Sequence, residues 1–438
     1  MARRSSIAAA FERRGVHYGW VVAGVSFLTL ITAAGFRSTA GVLIVPLQDE
    51  FGWSRATISA AVSINLVLYG LGGPFAAGLY DRIGVRRVIA GALVVVAISS
   101  TLTTQMHSAW QLDLLWGVAN GLATGAIGVT LAAVIANRWF TKRRGLVTGM
   151  LTASNATGQL VFLPLLAWIV TAHGWRTAAL TVSSVALALV LPLVLVFLRD
   201  HPADVGLSPF GATEPDSPSP QQNPFAAAVR GLVDSTRSRT FWLLTASFFV
   251  CGATTNGLIG THLIPAAMDH GLSEVTAASL LATIGVFDLV GTLCSGWLTD
   301  RFDPRWLLFW YYGLRGLSLL ALPFVIGSTN LGLIAFIVFY GLDWVATVPP
   351  TVALTANAFG RERVGVVFGW IFGAHQLGAA VAAWGAGAAR TWLGDYQSAF
   401  VTAGLLSLVA SGLVIRISLD EKPPEPARWL EPADAAAS

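Results

Sequence analysis

The chain has 438 residues, 55% of them hydrophobic and only 11% charged, with a formal net charge of +4 and a mean hydropathy of +0.67. A soluble domain carries about 25% charged residues, so a single large globular enzyme is excluded. The density of aliphatic and aromatic side chains excludes disorder over most of the chain.

A bilayer-spanning helix needs about 20 apolar residues. Twelve stretches meet that need, at roughly 18–45, 54–79, 87–105, 109–137, 144–172, 175–198, 241–268, 275–298, 305–326, 330–357, 364–390 and 396–417. The pattern predicts an all-α membrane protein with an N-terminal six-helix half over 1–198 and a C-terminal six-helix half over 240–420. The connection over 199–239 is rich in Pro, Ser and Asp and reads as a flexible linker, with a short tail over 421–438. The first apolar stretch is too long for a secretory signal and has eleven others behind it.

Short loops on the cytoplasmic side of a membrane retain Lys and Arg. Arg3, Arg4, Arg13 and Arg14 precede span 1, Arg82, Arg86 and Arg87 follow span 2, and Arg138, Lys142, Arg143 and Arg144 separate spans 4 and 5. Arg199, Arg230, Arg237, Arg239, Arg301, Arg305, Arg361, Arg363, Arg416, Lys422 and Arg428 fall on that same side. Opposite them stand only Arg55, Arg176 and Arg390. Both termini and the linker are therefore expected in the cytoplasm, with the chain in the plasma (inner) membrane.

The chain also repeats itself. A shift of 219 places Pro46, Gly52, Ser54 and Asp81-Arg82 on Pro265, Gly271, Ser273 and Asp300-Arg301. A shift of 220 places Gly121-Leu122, Ala136-Asn137 and Gly174 on Gly341-Leu342, Ala356-Asn357 and Gly394. Six spans, an even number, separate the equivalents, so the repeats are parallel. Parallel halves of this kind put a substrate near the bilayer midplane between them.

Asp81-Arg82-Ile83-Gly84-Val85-Arg86-Arg87, with Gly296-Trp297-Leu298-Thr299-Asp300-Arg301 as its counterpart, resembles the loop motif between spans 2 and 3 of the major facilitator superfamily. The resemblance implies that Asp81, Arg82, Arg86, Asp300 and Arg301 form cytoplasmic gating latches. Ala77 stands where the family usually has Gly, and Asp303-Pro304 replaces the usual Gly and basic residue in the second copy. A narrower resemblance is to the monocarboxylate porters and the oxalate/formate antiporter group. It rests on His17-Tyr18-Gly19-Trp20, Phe51-Gly52-Trp53-Ser54-Arg55, the Trp139–Gly149 stretch and His173-Gly174-Trp175-Arg176.

An ionisable group at mid-span costs about 2.5–3.5 kcal/mol to insert, so each one is a site candidate. Arg37 resembles the intramembrane Lys of the porters' first span and would hold a carboxylate through two N–H bonds; the alternative is snorkelling to the interface. Asp288 resembles their span 8 Asp, but Thr292 stands where they carry Arg, and Arg315 is the cation available to replace it. Asp288 then couples protons or forms a permanent pair with Arg315. Asp343, near Pro349-Pro350, is functional or pairs with Thr347 or Arg315. His375 and Gln376 lie mid-span 11, and the repeat puts His375 on Asn155, Arg37 on Asn256 and Asp288 on Tyr69. The expected substrate-binding set is therefore Arg37, Tyr69, Asn155, Asn256, Asp288, Arg315, Asp343, His375 and Gln376, with Asp288, Asp343 and His375 as proton carriers.

Cys251 and Cys294 sit in apolar runs and give neither metal spacing nor a disulfide framework. There is no phosphate-binding Gly-Lys-Ser/Thr loop, no metal cluster and no nucleophile set, so no cofactor and no enzyme activity are expected. The sequence reads as a monomeric carrier of a small organic anion, a monocarboxylate first, driven by proton symport or anion exchange, with no nucleic-acid partner. The alternatives are a proton-linked exporter of amphipathic or aromatic compounds and, further off, a membrane sensor.

Overall fold

The structure is a computed structural model that describes residues 6–212, 224–327, 331–360 and 363–418. Twelve long helical rods follow in order: α1 Tyr18–Phe51, α2 Arg55–Ile83, α3 Val85–Thr103, α4 Ala109–Trp139, α5 Arg144–His173 and α6 Trp175–Phe197. The second half repeats the order with α7 Arg239–Asp269, α8 Glu274–Thr299, α9 Pro304–Val325, α10 Leu331–Phe359, α11 Val364–Leu393 and α12 Gln397–Val414. Among the described residues, eleven helices are long and apolar enough to cross a membrane. Helices suit lipid because every backbone N–H and C=O finds a partner within its own segment. Rods α1 and α2 run past their expected ends at 45 and 79, and α1 carries Pro46 in its interior as α7 carries Pro265.

The repeat is visible in the caps. Ser54 accepts a hydrogen bond from Thr57 N at 3.1 Å to start α2, and Ser273 accepts one from Thr276 N at 3.2 Å to start α8. Gly52 (φ 67°) and Gly271 (φ 89°) turn the chain in front of these caps through a left-handed conformation that favours glycine. Each half also breaks one rod at the matching depth: α4 at Gly128 and α10 between Asp343 and Val348.

Part of the connection is held in place. Residues 199–212 fold onto the first half: Phe210 pairs with Phe140, its N–H donating to Trp139 O at 2.8 Å. Its ring stands edge-on to His17 and Trp20, and His17 Nε2 donates to Ser208 O at 3.2 Å. The His-Tyr-Gly-Trp motif that opens α1 thus clamps the start of the linker. Helix Pro224–Ser235 then passes beneath α2 and α11.

We call the end of the bundle that meets this connection the linker end, and the opposite one the far end. Hydrogen bonds that join the halves cluster in the far part. Arg55 on α2 bonds Asp269 at the end of α7, Ala56 N donates to Thr391 Oγ1 at 3.1 Å, and Ser63 Oγ donates to Ala380 O at 2.7 Å. Among the described residues, one face of α11 is packed differently along its length. Its Gly387 lies so close to Ser59 that a Cβ would come within 2.5 Å, whereas Gly365, Gly369 and Gly373 toward the linker end meet nothing within 4 Å. The described hydrogen bonds thus hold the halves together at the far end.

Candidate functional site

A cavity of about 80 Å³ lies between the halves, midway along the bundle. The first half lines it with Arg37, Asn65, Tyr69 and Trp116, the second with Asn256, Thr261, Trp344 and Gln376. The Arg37 guanidinium lies over the Tyr69 ring, 4.5 Å from its centroid. A cation over a ring face is attracted by the ring quadrupole, which helps to fix the half-buried Arg37.

Local helix geometry sets the other polar walls. Asn65 Nδ2 donates to Trp116 O at 2.9 Å, a carbonyl within the π-helical turn Asp113–Ala119 where the regular ladder is interrupted. Asn256 lies in a second π-helical turn, Ala253–Ile259. Close contact with α11 fixes that turn: a Cβ on Gly252 would lie 1.7 Å from His375 O, and one on Gly257 2.3 Å from Ala379 O. Asn65, Trp116 and Thr261 were not singled out from sequence. Neither their type nor their spacing marks them, since a polar residue facing a cavity and one facing a neighbouring helix look alike in one dimension.

The intramembrane charges of the second half gather elsewhere, around the break in α10. Arg315 donates from Nε to Asp343 Oδ2 at 2.6 Å and from Nη2 to Asp343 O at 2.6 Å. Asp288 accepts from Thr292 Oγ1 at 3.0 Å and from Val345 N at 2.9 Å. Of the alternatives left open by the sequence, Arg315 pairs with Asp343 and not with Asp288, and Asp343 is not bonded to Thr347 among the described contacts. Thr347 Oγ1 faces Cys251 Sγ at 3.2 Å instead. The break itself follows from Pro349 and Pro350, which have no N–H to return to Val345 and Ala346. Ser295 Oγ supplies the bond that Pro350 lacks, donating to Ala346 O at 2.5 Å. Irregular backbone at membrane depth needs such partners, and Asp288, Ser295 and Arg315 provide them. Of this set only Trp344 reaches the cavity.

His375 also departs from expectation. It is buried between Phe248 and Phe372, with ring centroids at 4.8 and 5.5 Å, and faces α7 within its own half instead of the cavity. Its neighbour Gln376 does line the cavity. The side chain of Asn155 lies outside the described residues. At the linker end, Arg138 forms an ion pair with Asp81, and Asp200 Oδ1 accepts from Arg86 N at 2.9 Å. Both contacts stay within the first half and the start of its linker. Arg82 is exposed. In the second copy of the motif, Asp300 is exposed, and Arg301, in the turn after α8, folds back over Trp297 of that helix at 4.1 Å and donates to its carbonyl. An ion pair between helices is not formed there among the described residues. Nearby, Arg305 Nη2 approaches Asp303 Oδ2 at 2.7 Å, and this hydrogen bonding holds the Asp303 carboxyl below the usual carboxylate range.

Comparison with known proteins places this geometry. A family model described as Major Facilitator Superfamily matches residues 25–383 and again 248–435. The uncharacterized MFS-type transporter YcxA of Bacillus subtilis is 28% identical over 373 residues, covering 84% of this chain and 87% of that protein. Monocarboxylate transporter 13 of Rattus norvegicus is 27% identical over 406 residues, covering 91% and 89%. Among solved structures, a bacterial homologue of the human lysosomal transporter Spinster, inward-facing and unoccupied, aligns with a TM-score of 0.74 at 17% identity over 94% of this chain and 99% of that one.

Proposed function

The chain belongs to the major facilitator superfamily, and on that premise we propose that it is a secondary active transporter of a small organic anion, a monocarboxylate first, working by alternating access. Arg37 carries the reading: it is a cation on the wall of a cavity between two halves, its guanidinium over the face of Tyr69. A guanidinium takes a carboxylate through two parallel N–H bonds. Asn256, Thr261 and Gln376 face it from the other half and supply polar contacts to the rest of the molecule. A bound anion would thus touch both halves, which is what lets binding bias their rocking. The likeness to a monocarboxylate transporter supports the substrate class.

The surplus of Lys and Arg at the linker end supports a cytoplasmic position for that end. The conformation is then closed outside and parted toward the cytoplasm, and the membrane is the plasma (inner) membrane. Asp81 and Arg138 brace the cytoplasmic end of the first half.

Coupling falls to Asp288. Asp343 is committed to Arg315, whereas Asp288 is held by a hydroxyl and one backbone N–H. That N–H belongs to Val345, next to the cavity-lining Trp344. A proton gained or lost at Asp288 changes the bond that holds the α10 break, and the break positions a wall of the cavity.

Counterflow in proteoliposomes with labelled acetate, L-lactate, pyruvate and oxalate, with and without an imposed pH gradient, tests the reading. Saturable exchange of a monocarboxylate, accelerated by the gradient, is expected. Flux of every carboxylate at the level of protein-free liposomes would sink it.

A further inference from the structure

The far end holds a second arginine that the cavity does not use. Arg55 is 6% exposed and lies at the first turn of α2. It donates from Nη1 to Asp269 Oδ2 and from Nη2 to Asp269 Oδ1, both at 2.6 Å, from Nη1 to the Tyr396 hydroxyl at 3.0 Å, and from Nε to Gln48 Oε1 at 2.8 Å. Asp269 also accepts from Arg390 Nε at 2.7 Å. Tyr396 faces His262 Nδ1 at 3.1 Å, while His262 Nε2 donates to Ala383 O at 2.7 Å. A carbonyl can only accept, so in the neutral ring Nδ1 accepts and the Tyr396 O–H donates to it.

These contacts sort by half. Asp269, Arg390, Tyr396 and His262 all belong to the second half, and Arg55 and Gln48 to the first. When the far end opens, Asp269 keeps Arg390 and Tyr396 keeps His262. Arg55 keeps only Gln48, a neutral amide, and loses its counter-charge. Opening therefore leaves one face of the mouth with a compensated pair and the other with an uncovered guanidinium. Val62, Leu66 and Tyr69 follow Arg55 at helical spacing down the same face of α2 and line the cavity. In the closed state the Asp269 carboxylate already occupies the two-bond position that a substrate carboxylate would take.

We propose that Arg55 is an anion-capture site at the far mouth, covered by Asp269 when that end is closed and free to take an organic carboxylate when it opens. This rests on the reading of the cavity as an anion route. Return of Asp269 then displaces the carboxylate from Arg55 toward Arg37, so closing the gate and advancing the substrate are one exchange of ligands on a single guanidinium.

The test compares L-lactate uptake by intact expressing cells, which load from the far end, with uptake by everted vesicles, which load from the linker end. Arg55→Gln is expected to raise KM in cells roughly tenfold, the loss of a charged hydrogen-bond partner, and to leave KM in everted vesicles within about twofold. Asp269→Asn removes the competitor and keeps Arg55, so KM in cells stays the same or falls. Should the Gln variant not fold, Arg55→Lys keeps the charge without the fork and raises KM in cells by about threefold. A rise in KM of similar size in Arg55 and Asp269 variants, or an equal rise from both sides, would make the pair a gate alone and overturn the capture site. Absence of wild-type flux for acetate, L-lactate and pyruvate would instead remove the anion route, and the capture site with it.

Discussion

Arg315 on α9 and Asp343 at the end of the first segment of α10 form a buried ion pair at 2.6 Å, and the same guanidinium holds the Asp343 carbonyl. One side chain thus neutralises a carboxylate and supports a broken helix in lipid. Asp288 on α8 reaches the other side of the break through Val345. Arg315, Asp288 and Ser295 of this half thus each bond a backbone group at the α10 break.

Breaking that pair is expected to be severe. Arg315→Met leaves Asp343 unpaired in the interior and costs about 3–5 kcal/mol. Arg315→Met with Asp343→Leu recovers part of the loss but not all, because Asp343 O and Trp344 O still lack their donor. Thermal unfolding of the detergent-solubilised protein measures both, and a double variant as stable as wild type would deny Arg315 its backbone role.

Arg37→Ala is expected to abolish carboxylate counterflow, and Arg37→Lys to retain part of it, since a compact ammonium keeps charge but not the planar fork. Tyr69→Phe keeps the ring under the guanidinium and changes KM little. Tyr69→Leu removes a cation–π contact of about 0.5–2 kcal/mol and raises KM several-fold. Wild-type kinetics in Arg37→Ala would take away the central contact.

Gly252 on α7 lies against the backbone of α11, where an added Cβ would stand 1.7 Å from His375 O. No rotamer relieves a clash with backbone, so Gly252→Ala is expected to cost at least about 1–3 kcal/mol and to lower the yield of folded protein. Gly365→Ala on α11, with nothing within 4 Å, stays within about 0.5 kcal/mol. Melting temperatures of the two variants make the comparison.

Asp303 caps α9 and pairs with Arg305, which lowers its folded-state pKa. Its stabilisation is therefore present above the unfolded value of about 3.9 and is lost as pH falls through the lowered folded value. The pair is partly solvated and contributes at most about 1 kcal/mol. Asp303→Asn keeps a cap acceptor and loses the charge. It should melt slightly below wild type at pH 6, and the gap should close toward pH 3. A gap that persists at pH 3 would assign the effect to the cap instead.

Much of the architecture was legible in one dimension. Long apolar runs force helices in lipid, Pro46 and Pro265 or Ser54 and Ser273 betray the repeat, and Arg37 and Tyr69 both line the cavity, although Asp288, the repeat equivalent of Tyr69, does not. The linker was less legible: its composition suggests flexibility, yet Phe210 docks through a ring cluster whose members come from α1, from the turn between α4 and α5 and from the linker itself. Composition reports how polar a segment is and carries no information about a partner surface distant in sequence.

The sequence by itself determined that the chain is helical, membrane-spanning and built as two parallel halves, because hydropathy and backbone hydrogen bonding act along the chain. Only the tertiary structure decided that Arg315 takes Asp343 and not Asp288, that His375 turns into its own half while Gln376 turns to the cavity, and that Arg55 meets Asp269. Each residue step rotates a helix by about 100°, so the direction in which a buried side chain points depends on how its helix is turned against its neighbours. That rotation is set by packing, at contacts such as Gly252 on α11, and not by the order of residues along one span.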